Sequence, residues 1–332
     1  MHNFAYARAA DLGGALRLVD QPGSQVIAGG TNLLDLMKGG AARPDRLIDI
    51  TQLTALTQIH ELPSGWVRVG ALATNSDTAL HPLVRERFPL LSQALLSGAS
   101  PQLRNMATVG GNILQRTRCD YFYDTGFEQC NKRHPGSGCA ALHGFNRYHA
   151  ILGASDSCIA THPSDMSVAL VALDAVVQLR NARGARQIPL NDFQRVPGDT
   201  PQIDTELAHG EILTAVDLPL NRWGRHCAYL KLRDRASFAF ALVSVAAALD
   251  IQEGVVQDAR VVLGGVAHKP WPVPEASDLL RGSAAAVNRF REVAEAAFRG
   301  AVPRRYNAFK VELGKRAVVR ALEMAASIQE TA

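Results

Sequence analysis

VIAGGTNLLDLM, Val26 to Met37, reads as a strand that runs into a glycine pair and then opens a helix. Val26, Ile27 and Ala28 are a short apolar run, Thr31 stands where a helix cap is wanted, and Leu33, Leu34, Leu36 and Met37 give the following turns one apolar face. On the amino-terminal side, Asp11 caps a helix predicted through Val19, and Gln25–Ala28 is a buried strand. On the other side Gly39-Gly40 ends the helix and Arg46–Ile50 is the next strand, so the segment closes a βαβ unit. Adjacent glycines let a backbone approach an anion, and the free N–H groups and dipole of a helix start favour phosphate there. The run matches neither GxGxxG nor GxxxxGK[ST], and a turn that needs glycine only for its geometry explains it equally well.

A hairpin follows, Thr57–Glu61 and Trp66–Gly70, with its turn at Pro63-Ser64-Gly65; Phe88–Ser97 has helical spacing. Gly98 to Pro163 shows little periodicity. Ser164 then caps a helix to Leu173, Ala175–Arg180 is a strand, and Asn181–Gly184 a turn. The Pro, Asn, Gly and Arg of Leu218–Arg225 mark a domain boundary. Beyond it come three strand-like runs, Cys227–Arg233, Phe238–Ile251 and Asp258–Leu263, and a closing helix over Asn307–Ile328.

The whole chain of 332 residues, 47% hydrophobic and 20% charged, has room for two domains with a core each, which excludes disorder. With 35 Lys+Arg against 31 Asp+Glu and no basic stripe, no nucleic-acid partner is called for. The start, MHNFAYARAADLGG, does not read as a signal peptide, and Ala236 to Leu249, the most apolar run, is too short to span a bilayer.

Two further segments echo the first: ATVGGNILQ, Ala107 to Gln115, and HPSDM, His162 to Met166. Alone, each is ordinary turn chemistry. Between them lies the densest chemistry in the chain. Cys119, Cys130, Cys139 and Cys158, four of five cysteines, fall within 40 residues spaced C-x10-C-x8-C-x18-C. A long irregular loop needs a function or a staple. Iron–sulfur ligation, zinc, two disulfides or four plain buried thiols would each account for them. The lack of a CxxC pair disfavours zinc, disulfides would leave Cys227 odd, and a [4Fe–4S] cluster is the favoured reading. His134, His143, His149 and His162 read as polar loop residues and Cys227 as a small buried hydrophobe. No GxSxG, HExxH or Walker lysine supports a hydrolase or kinase.

Taken in order, VIAGGTNLLDLM, RVGALATN (Arg68–Asn75), QLRNMATVGGNILQ, HPSDM, HGEILTAVDLP (His209–Pro219), YLKLRDRASFAFALVSVA (Tyr229–Ala246) and LGGVAHKPW (Leu263–Trp271) resemble the FAD-binding medium subunit of the molybdenum hydroxylases, the xanthine dehydrogenase and aldehyde oxidoreductase group. RTRCDYFYDT and CNKRHPGSGCAAL look most like the flavin subunit of bacterial periplasmic aldehyde oxidoreductases, in which, as in the 4-hydroxybenzoyl-CoA reductases, an inserted loop carries a [4Fe–4S] cluster.

The resemblance implies an α+β fold: an FAD-binding PCMH-type domain over 1–221, made of a small βαβ subdomain and a larger α+β subdomain, with the cysteine loop at 119–158. A C-terminal domain over 222–332, like that of CO dehydrogenase flavoproteins, would hold a three-stranded antiparallel sheet and helices. It implies that Ile27, Ala28, Gly29, Gly30, Thr31, Asn32, Leu33 and Leu34 hold the FAD pyrophosphate, that Thr108, Gly111 and Asn112 close over the cofactor, and that Asp165, Lys231 and, on the adenine side, Ile212 or Leu213 contact it. It implies that Cys119, Cys130, Cys139 and Cys158 hold the cluster, and that no side chain here is catalytic. The expected function is electron transfer within a heterotrimer that oxidises aldehydes to carboxylic acids. Its large subunit would hold the molybdenum cofactor and its small subunit two [2Fe–2S] clusters; FAD would pass electrons to an external acceptor. Aryl-CoA, purine and N-heterocycle enzymes of the same group are the alternative, and a colourless zinc-stapled binding domain or a stand-alone flavin oxidase compete from outside it. The expected location is the periplasm, reached on a partner's signal, with the cytoplasm as alternative.

Overall fold

The computed structural model describes residues 1–220, 222–224 and 226–327. Strands β1 (Ala5–Arg8), β2 (Ser24–Ile27) and β3 (Arg46–Asp49) form a parallel sheet in the order β1-β3-β2. β3 is the most buried because it has a neighbour on both sides, and Ile48 is fully covered. The helix Leu12–Val19 starts as predicted: the Asp11 carboxylate accepts from the Gly14 N–H at 2.6 Å. It turns Ala15, Leu16 and Val19 onto Ile48 and Ile50. The helix Leu33–Lys38 follows β2, but Asn32 rather than Thr31 occupies its cap position and caps nothing, its side chain being bonded elsewhere. Strand β1 lacks a sequence signal because it is four residues long and mostly exposed.

The second sheet comprises β4 (Ile59–Glu61), β5 (Val67–Gly70), β6 (Val176–Asn181), β7 (Gly184–Pro189) and β8 (Ile212–Leu218), all antiparallel, in the order β4-β5-β8-β6-β7. Arg68 of β5 and Asp217 of β8 form a two-pronged ion pair, both bonds 2.7 Å, across the centre. Against this sheet lie the helices Pro89–Ser97 and Asp165–Ala172. All eight residues of Asp165–Ala172 are buried, so it shows no polar stripe and serves as the shared core between the second and third sheets.

The third sheet was expected to have three strands. It has four: β9 (Cys227–Leu232), β10 (Val243–Gln252), β11 (Val255–Gly264) and β12 (Trp271–Pro272), ordered β12-β11-β10-β9 and antiparallel. Two residues, one of them proline, carry no strand pattern. The run predicted from Phe238 becomes strand only at Val243; Phe238 itself has a φ of 50° in the left-handed region. The helices Val287–Ala297 and Phe309–Ala326 cover the outer face of this sheet and bury Phe290, Val293, Val318 and Leu322. The predicted end of the last helix, Ile328, lies outside the described residues, as do Asn221 and Arg225 of the expected boundary.

The stretch 98–163 folds around short pieces: helices Pro101–Arg104, Val109–Ile113 and Asp120–Tyr123 and a 3-10 turn at Ala140–Leu142. Its far end is fastened to the third sheet, where Ile151 and Leu152 donate to the Val266 carbonyl at 2.9 and 3.0 Å.

Candidate functional site

The two glycine turns meet. The backbone at Gly29 lies so close to the Met106 carbonyl that an added Cβ would overlap its oxygen and stand 2.7 Å from its carbon. Gly30 has a φ of +71°, which turns the chain from β2 into the helix. In the second turn, Gly110 donates to the Ala71 carbonyl at 2.8 Å, and Thr108 caps its helix by accepting from Gly111 at 3.2 Å. One cleft is walled by Ile27, Ala28, Gly29, Gly30, Thr31, Asn32 and Leu33 on one side and by Thr108, Gly111 and Ile212 on others. Leu34 is outside that wall; its side chain lies over Gly30.

Thr31, Asn32 and Gly111 also line a second cleft, with Asn112, Asp165 and Lys231. The two form one elongated groove, the shape a dinucleotide needs. Ser164 caps the helix Asp165–Ala172, accepting from Ser167 N–H at 2.9 Å, and donates to Asn112 Oδ1 at 2.6 Å. This bond joins HPSDM to the second glycine turn. Asp165 accepts from Tyr229 Oη at 2.7 Å on one oxygen and from Lys231 Nζ at 2.7 Å on the other; Lys231 also reaches the Ser97 carbonyl at 3.2 Å. Burial, with the Asp165 charge adding, holds the Tyr229 phenol well above its ordinary value. Tyr229 and Lys231 alternate on β9, which puts both on one face, a period-two signal present in YLK. Phe238 and Phe240, read from sequence as strand, instead line the second cleft, and Arg118 stacks 5.1 Å from the Phe240 ring.

The cysteine loop lies against this groove. A third cleft shares Arg118, Ser164, Asp165 and Phe238 with the second and has Cys119 and His149 on its opposite wall. Asn32 clips loop to turn: it donates to Tyr123 Oη at 3.2 Å and accepts from the Arg116 N–H at 3.1 Å. Within the loop, Cys130 faces Cys139 as an antiparallel bridge, and Cys158 closes a tight turn with Ser155. All five cysteines are free thiols. Burial pushes Cys119 up to about 12 and Cys158 up to about 11, and the charges of neighbouring thiols add to both: Cys158 and Cys139 act on Cys119, and Cys139 and Cys130 act on Cys158. Each of the four thiols is thus within electrostatic reach of at least two of the others, while Cys227 packs in the main core as expected. Among the described residues, no three His, Cys, Asp or Glu side chains are grouped as they would be around a metal ion.

Two of the histidines read as polar loop residues turn inward, His149 buried and His162 half-buried. His149 is 4% exposed and its Nε2 lies 3.1 Å from Cys119 Sγ. His162 Nε2 lies 3.0 Å from Gln194 Nε2, and burial holds its ring down at about 4. Lys132, between Cys130 and Cys139, is buried and bonds to the Pro201 carbonyl at 2.6 Å, to Asp204 and to His268 Nε2 at 2.8 Å. Arg116 completes this network on the other Asp204 oxygen at 2.7 Å. Burial would raise Asp204, but the charges of Lys132, Arg116 and His268 outweigh it and hold the carboxyl at about 2. The three partners of Lys132 lie 69 to 136 residues away from it, so no spacing rule reveals them.

Residues 2–221 match the model of the FAD binding domain in molybdopterin dehydrogenase, and 228–325 that of the CO dehydrogenase flavoprotein C-terminal domain. The chain is 51% identical to the aldehyde oxidoreductase FAD-binding subunit PaoB of Escherichia coli (strain K12), over 97% of this chain and 98% of that one. It is 28% identical to the glyceraldehyde dehydrogenase medium chain of Sulfolobus acidocaldarius, over 82% of this chain and 79% of that one. Among solved structures, quinoline 2-oxidoreductase from Pseudomonas putida 86 superposes with a TM-score of 0.76 at 25% identity, covering 98% of this chain and 97% of the other. The groove, its two glycine turns and these matches together show that the chain belongs to the FAD-binding family of the molybdopterin dehydrogenases, as the FAD-binding subunit of a molybdenum-dependent oxidoreductase.

Proposed function

We propose that this chain is the electron-transfer flavoprotein subunit of a heterotrimeric aldehyde oxidoreductase that converts aldehydes to carboxylic acids. Electrons would arrive from the [2Fe–2S] clusters of a small subunit, after oxidation of the aldehyde at the molybdenum cofactor of a large subunit, and leave for an external acceptor. FAD, when bound, supplies the exchange of electrons between the clusters and that acceptor. Residues 1–221 are its domain and 222–332 the C-terminal domain; the complex works in the periplasm, carried there on a partner's signal.

The observation that carries this reading is the single groove built from both glycine turns and the Asp165–Lys231 pair, with the cysteine loop clipped to it at Asn32. Ile27 to Asn32 would approach the pyrophosphate through their backbone, while Leu33 and Leu34 pack the turn from the helix side and Ile212 walls the adenine end. Thr108, Gly111 and Asn112 would cover the cofactor, with Asp165 and Lys231 at the flavin end. Cys119, Cys130, Cys139 and Cys158 suit a [4Fe–4S] cluster by their chemistry: four thiols from one loop, each within electrostatic reach of at least two of the others, with Cys130 packed on Leu36 and Phe122 away from water. Such a cluster asks for wider spacing than one ion does, and its charge would reverse the effect of burial on the thiols. The chain would bind and orient both groups while no side chain here takes part in proton transfer.

Purification of the complex tests this, through its visible spectrum and the iron, acid-labile sulfide and molybdenum per FAD. Flavin bands over a broad iron–sulfur background, with four irons per FAD assigned to this chain, are expected. Flavin without that iron would remove the cluster, and copurification with no molybdenum-containing partner would reject the complex.

A further inference from the structure

His149 presents a ring nitrogen to Cys119, one of the four loop cysteines. Its Nε2 stands 3.1 Å from Cys119 Sγ, while its Nδ1 is buried with no hydrogen-bond partner among the described residues. A Cys119 sulfur that ligates a cluster carries no proton, so a hydrogen bond across this contact is donated by Nε2–H. The backbone that carries the ring is also held. The His149 carbonyl accepts from Lys310 Nζ at 3.0 Å and from Asn307 Nδ2 at 3.2 Å, and Lys310 is anchored by a second bond, 2.7 Å, to the Gly265 carbonyl. Lys310 opens the long C-terminal helix and is fully buried, so the helix that covers the third sheet sets the position of a side chain in the cysteine loop.

We propose that His149 is a positioning residue for the cluster: it donates Nε2–H to the Cys119 sulfur, fixes that thiolate and raises the cluster's reduction potential. A hydrogen bond to a ligating sulfur draws electron density from it, which favours the reduced, more negative state. The inference rests on the four-cysteine cluster proposed above, and it makes the Cys119 corner distinct from the other three.

The test compares the purified complex with His149→Leu, which cannot donate, and His149→Gln, which keeps an amide donor. The iron–sulfur signal is titrated against potential, with iron and FAD counted and the thermal midpoint recorded. The leucine variant is expected to keep its FAD and shift the cluster midpoint to lower potential, with the glutamine variant closer to wild type. Loss of iron in the leucine variant alone also supports the donor role. Equal shifts or equal iron loss in both variants, or no shift in either, overturn it, since ring volume alone would then explain the site. Absence of iron and sulfide from the wild-type complex instead overturns the cluster itself, and this inference with it.

Discussion

Gly29 and Gly30 are neighbours with the same side chain and different reasons for it, and replacing each by alanine separates those reasons. At Gly30 the cost is conformational: a φ of +71° is strained for any side chain, but the Cβ would meet chiefly the end of Leu34, 2.9 Å away, which can rotate aside. Left-handed backbone costs about 1–2 kcal/mol, so Gly30→Ala should lower stability by about that much. At Gly29 no positive φ is involved. There the Cβ would stand 2.7 Å from the Met106 carbonyl carbon and overlap its oxygen. Carbon atoms rest at about 3.5–4.0 Å, so residues 106–107 would have to retreat by about 1 Å. That segment leads directly into Thr108 and Gly111, so its retreat would open the groove between the two turns. Overpacking costs about 1–3 kcal/mol or more, and spread over the groove it amounts to about a tenfold to hundredfold weaker hold on FAD. Thermal unfolding and the FAD-to-protein ratio after dialysis read both effects. Gly29→Ala should lose far more flavin than Gly30→Ala. The reverse order, or full flavin retention in Gly29→Ala, would refute the abutting-turn account.

Other outcomes follow from the same geometry. Asp165→Asn leaves the Lys231 ammonium buried, the two side chains being 8% and 4% exposed, and should cost about 3–5 kcal/mol in a urea titration. A loss under about 1 kcal/mol would contradict the pairing. Asn32→Ala removes the bonds to Tyr123 and Arg116; at about 1–3 kcal/mol it should weaken FAD retention about tenfold, and unchanged release kinetics would show that the clip is idle. Acid should destabilise the fold in two stages. Burial, with the Lys132 charge, holds His268 down at about 4, so it binds fewer protons folded than unfolded; its contribution is complete above about 6.5 and is lost progressively as pH falls from there to about 4. That is about 3 kcal/mol, and Asp204, held at about 2, adds about 2 kcal/mol that disappears between about 4 and 2. A urea midpoint that does not change between pH 7.5 and 4.5 would refute the first stage.

The features legible in the sequence are those that depend on neighbours in the chain. Asp11 and Ser164 cap helices because capping is decided within three residues, and the glycine turns announce themselves through backbone geometry. Thr31 failed as a cap because Asn32 took the position while its amide was drawn to Tyr123 and Arg116, contacts 84 and 91 residues away. The same distance in sequence hid the role of His149, the Lys132–Asp204–His268 network and the Tyr229–Asp165 bond. Four cysteines in one loop were visible as a count; that each lies within electrostatic reach of others depends on packing that no local pattern encodes. β12 was missed because Trp271–Pro272 is strand only by virtue of lying beside Val262 and Leu263.

The loop from Cys119 to Cys158 is held at both ends of time as well as of space. Its first fastening, Asn32, leaves the ribosome before the loop does, but its last, Asn307 and Lys310, emerge some 150 residues after Cys158. For much of synthesis the loop therefore has one wall missing, the one behind His149. Lys310, with no carboxylate beside it among the described residues, has little reason to enter the interior except to meet the His149 and Gly265 carbonyls, so that wall closes when the final helix docks. A chain cut short of that helix would keep both glycine turns and every cysteine, yet have no means of closing the chamber around them.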